Sequence, residues 1–210
     1  MNNEKRDFDK AAASWDEPGR VKLANDIAQA IIDAIALAPT MDVLDFGCGT
    51  GLLTLKLRPL VHSITGVDSS QGMLDVLNAK IKNQDLTDVK TQHRDLDKGD
   101  ALEGSYHLII SSMTLHHIRE IRPLLDKFSK ACAPDGYLCI ADLDPDGGRF
   151  HGNNDGVFHF GFDRAMMRRA FIEAGFHDVR DKTAAHIMKP IPDEGSRLFS
   201  VFLMTGRKSL

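Results

Sequence analysis

The segment VLDFGCGTG, residues 43–51, constrains the fold of this chain more than any other. A short apolar run leads into glycines at 47, 49 and 51, and a helical pattern, LLTLKLRPL, begins at once. A strand that turns through glycines into a helix lets backbone N–H groups approach a ligand where Cβ atoms would collide. The spacing is G-x-G-x-G rather than the G-x-G-x-x-G of dinucleotide-binding turns, and Asp45 stands two residues before the first glycine. A carboxylate there repels a pyrophosphate but accepts a cationic or zwitterionic ligand. Three glycines can also form nothing more than a turn, so the flanking pattern has to decide.

That pattern alternates. Leu23, Ile27, Ala30, Ile31, Ala34 and Ile35 recur at helical spacing, with Pro39 as the predicted stop. After the strand MDVLDFG and its helix come a second strand, SITGVD, and the helix SSQGMLDVLNAKIKNQ, with Ser69 or Ser70 as N-cap. DVKTQH and YHLIISS read as strands, IRPLLDKFSKACA as a helix, PDGY as a turn and YLCIADL as a strand. FDRAMMRRAFIEAGF is amphipathic, with Phe162, Met166, Ala170, Phe171 and Ala174 on one side and Gly175 as its stop. Two strands, roughly 177–188 and 197–207, follow on either side of KPIPDEGS. The predicted fold is α/β: a doubly wound, mostly parallel seven-stranded sheet with helices on both faces and a C-terminal antiparallel hairpin. Residues 1–210 read as one domain, with 1–38 as an N-terminal helical arm or lid.

Charge and cysteine usage narrow the class. The net charge of -4 offers no general attraction to nucleic acid or anionic lipid. Cys48, Cys132 and Cys139 form no CxxC pair, so no disulfide framework or zinc knuckle is indicated. The start, MNNEKRDFDK, is charged and unlike a signal peptide, and the apolar stretch 23–39 contains Asp26 and Asp33 and is too short to span a bilayer. A cytoplasmic enzyme or binding protein is expected, with no membrane or nucleic-acid partner; the oligomeric state is left open.

Two further acids sit at strand ends. Asp68 closes the second strand, where a carboxylate can accept hydrogen bonds from both ribose hydroxyls. Asp95 follows the third, as if to meet an adenine amino group. A different acidic stretch, DLDPDGG at 142–148, opens like an EF-hand calcium loop. The segment before it is a strand, Pro145 lies inside it and the twelfth position is Asn153, so calcium is set aside and no metal is expected.

With these residues in view, the chain resembles the class I S-adenosylmethionine-dependent methyltransferases. VLDFGCGTG is similar to that family's first motif, GVDSSQGML to its second and HRDLD to its third. YHLIISSMTLHHI is similar to the fourth strand and its loop, and APDGYLCIADLD to the fifth. The resemblance implies that S-adenosylmethionine is the cofactor. By it, Gly47, Cys48, Gly49 and Gly51 pass under the methionine part, with Asp45 near the ammonium group. Asp68 holds the ribose, Ser69 and Met73 flank the adenine, and Asp95 and Leu96 contact its amino group and ring. Ser111 lies near the sulfonium, and Trp15 in the arm FDKAAASWDE is a lid contact or a core residue.

Methyl transfer from a sulfonium needs alignment above all, and a base only for acceptors that must shed a proton. His116, His151 and Asp142 are the candidates on the acceptor side. More simply, His116 and His117 of LHHI pack or hydrogen-bond their loop and His151 and His159 sit on a solvated one, so no base is assigned. The acceptor is expected to be a small molecule. An NAD-dependent oxidoreductase and a cofactor-binding subunit without turnover are the alternatives.

Overall fold

All seven predicted strands form: β1 (Asp42–Phe46), β2 (Ser63–Asp68), β3 (Val89–His93), β4 (Tyr106–Ser112), β5 (Cys132–Leu143), β6 (Phe176–Ile191) and β7 (Gly195–Lys208). The structure is a computed structural model that describes residues 7–191 and 195–209, with Asp97 described by its backbone alone. Pro192, Asp193 and Glu194 of the predicted hairpin loop therefore lie outside the described residues, as do the first six residues of the arm. The strands make one sheet in the order β3-β2-β1-β4-β5-β7-β6. Every neighbouring pair from β3 to β5 is parallel, and β7 runs antiparallel to both β5 and β6.

Alternation along the strands divides the core in two. Val43, Leu108, Ile110, Cys139, Ala141, Val201 and Leu203 face one side, with Ile27 and Ile31 of α1 (Pro18–Ala34) and Leu53 and Leu57 of α2 (Leu52–Leu57). Leu44, Phe46, Ile109, Leu138, Ile140, Phe202 and Met204 face the other. There they meet Leu124, Leu125 and Phe128 of α4 (Ile121–Ala131) and Met167 and Phe171 of α5 (Arg164–Glu173). Burial on both faces is what a parallel sheet needs, and it explains why the central strands read as continuous apolar runs. α3 (Gln71–Asn83) buries Leu74 and Leu77 near Cys48.

Three local expectations are corrected. Met166 is 71% exposed and Met167 takes its place in the core, while Phe162, Ala170, Phe171 and Ala174 of the predicted stripe pack there as expected. α4 ends at Ala131, and the predicted turn PDGY is absorbed into β5, whose pairing with β4 shifts register between Tyr106 and Leu108. Asp135 takes a positive φ in this irregular stretch. α1 ends at Ala34, with Ile35 already extended, before Pro39 is reached.

The order of connections creates the site. The chain builds β1, β2 and β3 outward in one direction and then crosses back to lay β4 on the other side of β1. Loops leaving the carboxyl ends of β1 and β4 therefore diverge, which opens the crevice in which doubly wound sheets bind their ligands.

Candidate active site

A cavity of about 450 Å³ occupies that crevice, within the range of small-molecule sites. Gly47, Cys48 and Gly49 form its floor, and Asp45 reaches it from the end of β1. Gly47 has φ +73°, and a Cβ there would lie 2.2 Å from the Thr114 hydroxyl oxygen, so only glycine fits between the β1 and β4 loops. Gly51 plays a different part. It begins α2 at φ +81°, and a Cβ there would meet Leu77 of α3; it does not line the cavity.

Two acids organise this end. The Asp68 carboxylate accepts from Gly49 N–H at 2.8 Å and from Ser70 N–H at 2.9 Å, tying the glycine loop to the start of α3. Burial pushes its carboxyl pKa up, against those backbone bonds. Asp45 is almost wholly buried, and one of its oxygens accepts from the Thr54 hydroxyl at 2.5 Å. Burial raises its pKa to about 7; the Thr54 bond opposes this and the neighbouring Asp68 charge adds to it. Ser69, Met73, Asp95 and Leu96 continue the lining toward β3. Ser70, rather than Ser69, caps α3 through Met73 N–H at 3.2 Å.

The arm lies across this region and is tied down twice. Asp9 accepts from the Ser70 hydroxyl and from Gly72 N–H, and Asp16 binds the Thr50 hydroxyl and Lys80. These contacts seat half-buried Trp15 and Phe8, ring centroids 5.8 Å apart, against the cavity. Arg20 stacks over Trp15 with its guanidinium carbon 4.0 Å from the ring centre.

The opposite end is lined by histidines. His116, on the short 3-10 turn after β4, is 1% exposed, and its Nδ1 lies 2.7 Å from Asp142 Oδ1. The other Asp142 oxygen accepts from Leu115 N–H at 2.9 Å, and Oδ1 also accepts from Leu143 N–H at 2.7 Å. Burial would raise the Asp142 pKa, but His116 and these donors hold it below the usual carboxylate range. The loop after β5 folds back over this turn through Phe158 N–H to His116 O and His159 Nε2 to Ile118 O. It brings His151 beside His116 and His117, with ring centroids 5.1 and 5.5 Å away.

Of the residues selected from sequence, Trp15, Asp45, Gly47, Cys48, Gly49, Asp68, Ser69, Met73, Asp95, Leu96, His116 and His151 all border one cavity. Ser111 and Asp142 do not. Ser111 is buried and donates to Phe46 O at 2.9 Å, bracing β4 against β1, and its neighbour Ser112 reaches the cavity instead. Asp142 is fully buried and reaches the cavity only through His116. Its companions are engaged elsewhere: Asp144 pairs with Arg164 at 2.6 Å and Asp146 accepts from Gly148 N–H at 2.7 Å, so the three acids of DLDPDGG do not converge on an ion. Sequence reasoning missed Phe8, Leu23, Thr114 and Lys189. Phe8 and Leu23 lay in a recognised arm, but nothing local marks Lys189, which β6 carries in from the far edge of the hairpin.

Residues 43–136 match the family described as a methyltransferase domain. An uncharacterised methyltransferase of Schizosaccharomyces pombe is 38% identical over 120 residues, 54% of this chain and 42% of that protein. The chain spans less than two thirds of the length of the curated relatives it matches. The Bacillus subtilis YcgJ protein has the same fold, with a TM-score of 0.74 at 16% identity, covering 89% of this chain and 99% of that one. So does a Haemonchus contortus phosphoethanolamine N-methyltransferase solved with phosphomonomethylethanolamine and S-adenosylhomocysteine, at 0.69 and 13%, covering 87% and 52%.

Proposed function

We propose that the chain carries a methyltransferase domain of the class I, S-adenosylmethionine-dependent type and that it methylates a small molecule bound at the histidine end of the cavity. One observation carries this reading: a single cavity runs from the strand-end acids Asp68 and Asp95, past a glycine floor with a buried carboxylate, to His116 and His151. Acids at the nucleoside end suit ribose hydroxyls and an adenine amino group, and Asp45 suits an ammonium group. A pyrophosphate would meet carboxylates there, which disfavours NAD.

When bound, S-adenosylmethionine supplies a methyl group already activated by its sulfonium. The chain then has to orient and shield. The Gly47–Gly49 floor admits close backbone approach, Asp68 fixes the nucleoside, and Phe8 and Trp15 keep water from the reacting end. Orientation of this kind supplies up to roughly 7–11 kcal/mol of the barrier. The groups available to assist an acceptor's loss of its proton are the imidazoles of the far end. Small-molecule acceptors among structural relatives, such as phosphomonomethylethanolamine, support a small acceptor here. Among the described residues no helix is long and apolar enough to cross a membrane.

Calorimetry with S-adenosylhomocysteine and with NAD tests the reading. Micromolar binding of the first and none of the second is expected, followed by label transfer from methyl-labelled S-adenosylmethionine to fractions of a metabolite extract. Binding of NAD alone would overturn it.

Asp45 makes that affinity depend on pH. With its pKa raised to about 7, it is protonated on the acid side in the empty protein, whereas a ligand ammonium favours the carboxylate. S-adenosylhomocysteine affinity should therefore fall as pH drops, by about tenfold between pH 8 and 6 if the neutral form binds negligibly. Asp45→Asn should bind weakly at both values and lose the dependence. A wild-type profile flat across that range would remove Asp45 from the ligand's charge environment.

A further inference from the structure

We propose that His116, His117 and His151 form a mononuclear site for a divalent transition metal, zinc in the first instance, with a fourth position open to the cavity. One ring nitrogen from each of the three lies within 4.8 Å of the others. They come from two loops far apart in sequence: His116 and His117 from the turn after β4, His151 from the loop after β5. His116 and His151 border the same cavity as His117.

The hydrogen bonds around the rings set the donor atoms. His116 directs Nδ1 at Asp142 Oδ1, 2.7 Å away and fully buried. His117 directs Nδ1 at the carbonyl oxygen of Gly156, also at 2.7 Å. A carbonyl only accepts, so His117 carries its proton on Nδ1 and its lone pair on Nε2. Asp142 Oδ1, which also accepts from Leu143 N–H, stands in the same place behind His116. A carboxylate or carbonyl behind each ring is the arrangement that orients metal-binding imidazoles and raises their basicity. Phe8 meets the His117 ring edge-on at 5.1 Å and Phe150 meets His151 at 4.9 Å, giving the cluster an apolar collar.

With Nδ1 of His116 and of His117 engaged behind the rings, their Nε2 atoms remain to ligate beside His151, and a cation satisfies the three together. Nitrogen-only donors exclude calcium and magnesium, which take oxygen ligands, and suit zinc, cobalt, nickel or copper. Ligation at about 2.0–2.1 Å asks the nitrogens to close to about 3.3 Å apart. Three protein ligands leave a tetrahedral ion one position, which is the pattern of reactive rather than structural zinc.

That the ion binds needs no reference to methyl transfer. Its use rests on the reading given above: the acceptor's hydroxyl or thiol takes the fourth position and loses its proton to solvent on coordination. Its heteroatom then forms the new bond to the methyl carbon as the carbon–sulfur bond breaks, with the electron pair leaving on sulfur as a thioether.

Cobalt(II) titration of chelator-stripped, full-length protein reads the site directly. One equivalent should bind with the visible bands of a tetrahedral ion, displaced by zinc. The double variant His117→Ala, His151→Ala should bind cobalt at least 100-fold more weakly, while His62→Ala, at an exposed histidine elsewhere, binds as wild type. His151→Cys keeps a ligand in place and should add a thiolate-to-cobalt charge-transfer band. Cobalt binding that is absent, or that survives unchanged in the double variant, overturns the site. Cobalt bound without S-adenosylhomocysteine affinity keeps the site and removes the methyl-transfer reading; the reverse result keeps that reading and removes the metal.

Discussion

Asp68→Ala is expected to weaken S-adenosylhomocysteine binding by about 100-fold or more. The carboxylate serves two purposes at once. Toward the protein it holds Gly49 N–H at 2.8 Å and Ser70 N–H at 2.9 Å, fixing the glycine floor and the start of α3 relative to each other. Toward the cavity its remaining lone pairs are available to two ribose hydroxyls. Hydrogen bonds to a charged group contribute about 1.5–3 kcal/mol each, and two of them correspond to at least 3 kcal/mol. Every 1.4 kcal/mol is about tenfold in affinity. Asp68→Asn keeps the shape, with one acceptor oxygen in place of two and no charge, and should fall between. Calorimetry measures both, with thermal unfolding as a check that each variant folds. Unchanged affinity in Asp68→Ala would refute the orientation of the ligand along the cavity.

Asp142→Ala should cost about 3 kcal/mol or more of stability, because buried donors left without an acceptor cost about 1–3 kcal/mol each. It leaves His116 Nδ1 and the N–H groups of Leu115 and Leu143 without their acceptor inside the protein. Those groups join the turn after β4 to the end of β5, so the histidine end should loosen while the nucleoside end survives. Asp142→Asn retains an acceptor and should cost less. The sign with pH follows from the lowered carboxyl pKa. The stabilisation is fully present above the unfolded value near 3.9 and is lost as pH falls through the lower folded value. Urea denaturation at pH 7 and at about pH 2–3 reads both effects; a wild-type-like midpoint for Asp142→Ala at pH 7 would refute the buried pair.

Much of the sheet was legible because its signals are local. Val43–Phe46, Leu108–Ser112 and Leu138–Leu143 are apolar runs of strand length, and turn residues or polar clusters bound them. Where a signal was ambiguous by one position, it failed. Met166 and Met167 are equally apolar, and only packing against α4 and the sheet selects the second. PDGY is a good turn sequence, yet pairing of Cys132 with Tyr106 draws it into β5 as an irregularity.

The acids and glycines of the nucleoside end were also readable, since each sits at the end of its own strand and a parallel sheet gathers strand ends on one edge. The histidine end was readable only in part: His116 and His151 were acceptor-side candidates, but nothing marked them as neighbours of each other and of His117. His116 and His117 read as loop residues and His151 as part of another loop. DLDPDGG looked like an ion loop, although its acids have unrelated partners. What joins the two loops is the crossing from β3 back to β4, which makes β4 and β5 neighbours. Gly161, at φ +79°, completes the junction, because a Cβ there would lie 2.2 Å from Asp144 O and hold the returning loop off.

From sequence alone, then, come the alternation of strands and helices, the glycine turn and the carboxylates at the strand ends. These depend on neighbours a few residues apart. The meeting of His116, His117 and His151 over a buried Asp142 is a tertiary result. Imidazoles have no periodicity to announce a partner, and only the order of strands in the sheet decides which loops share a wall.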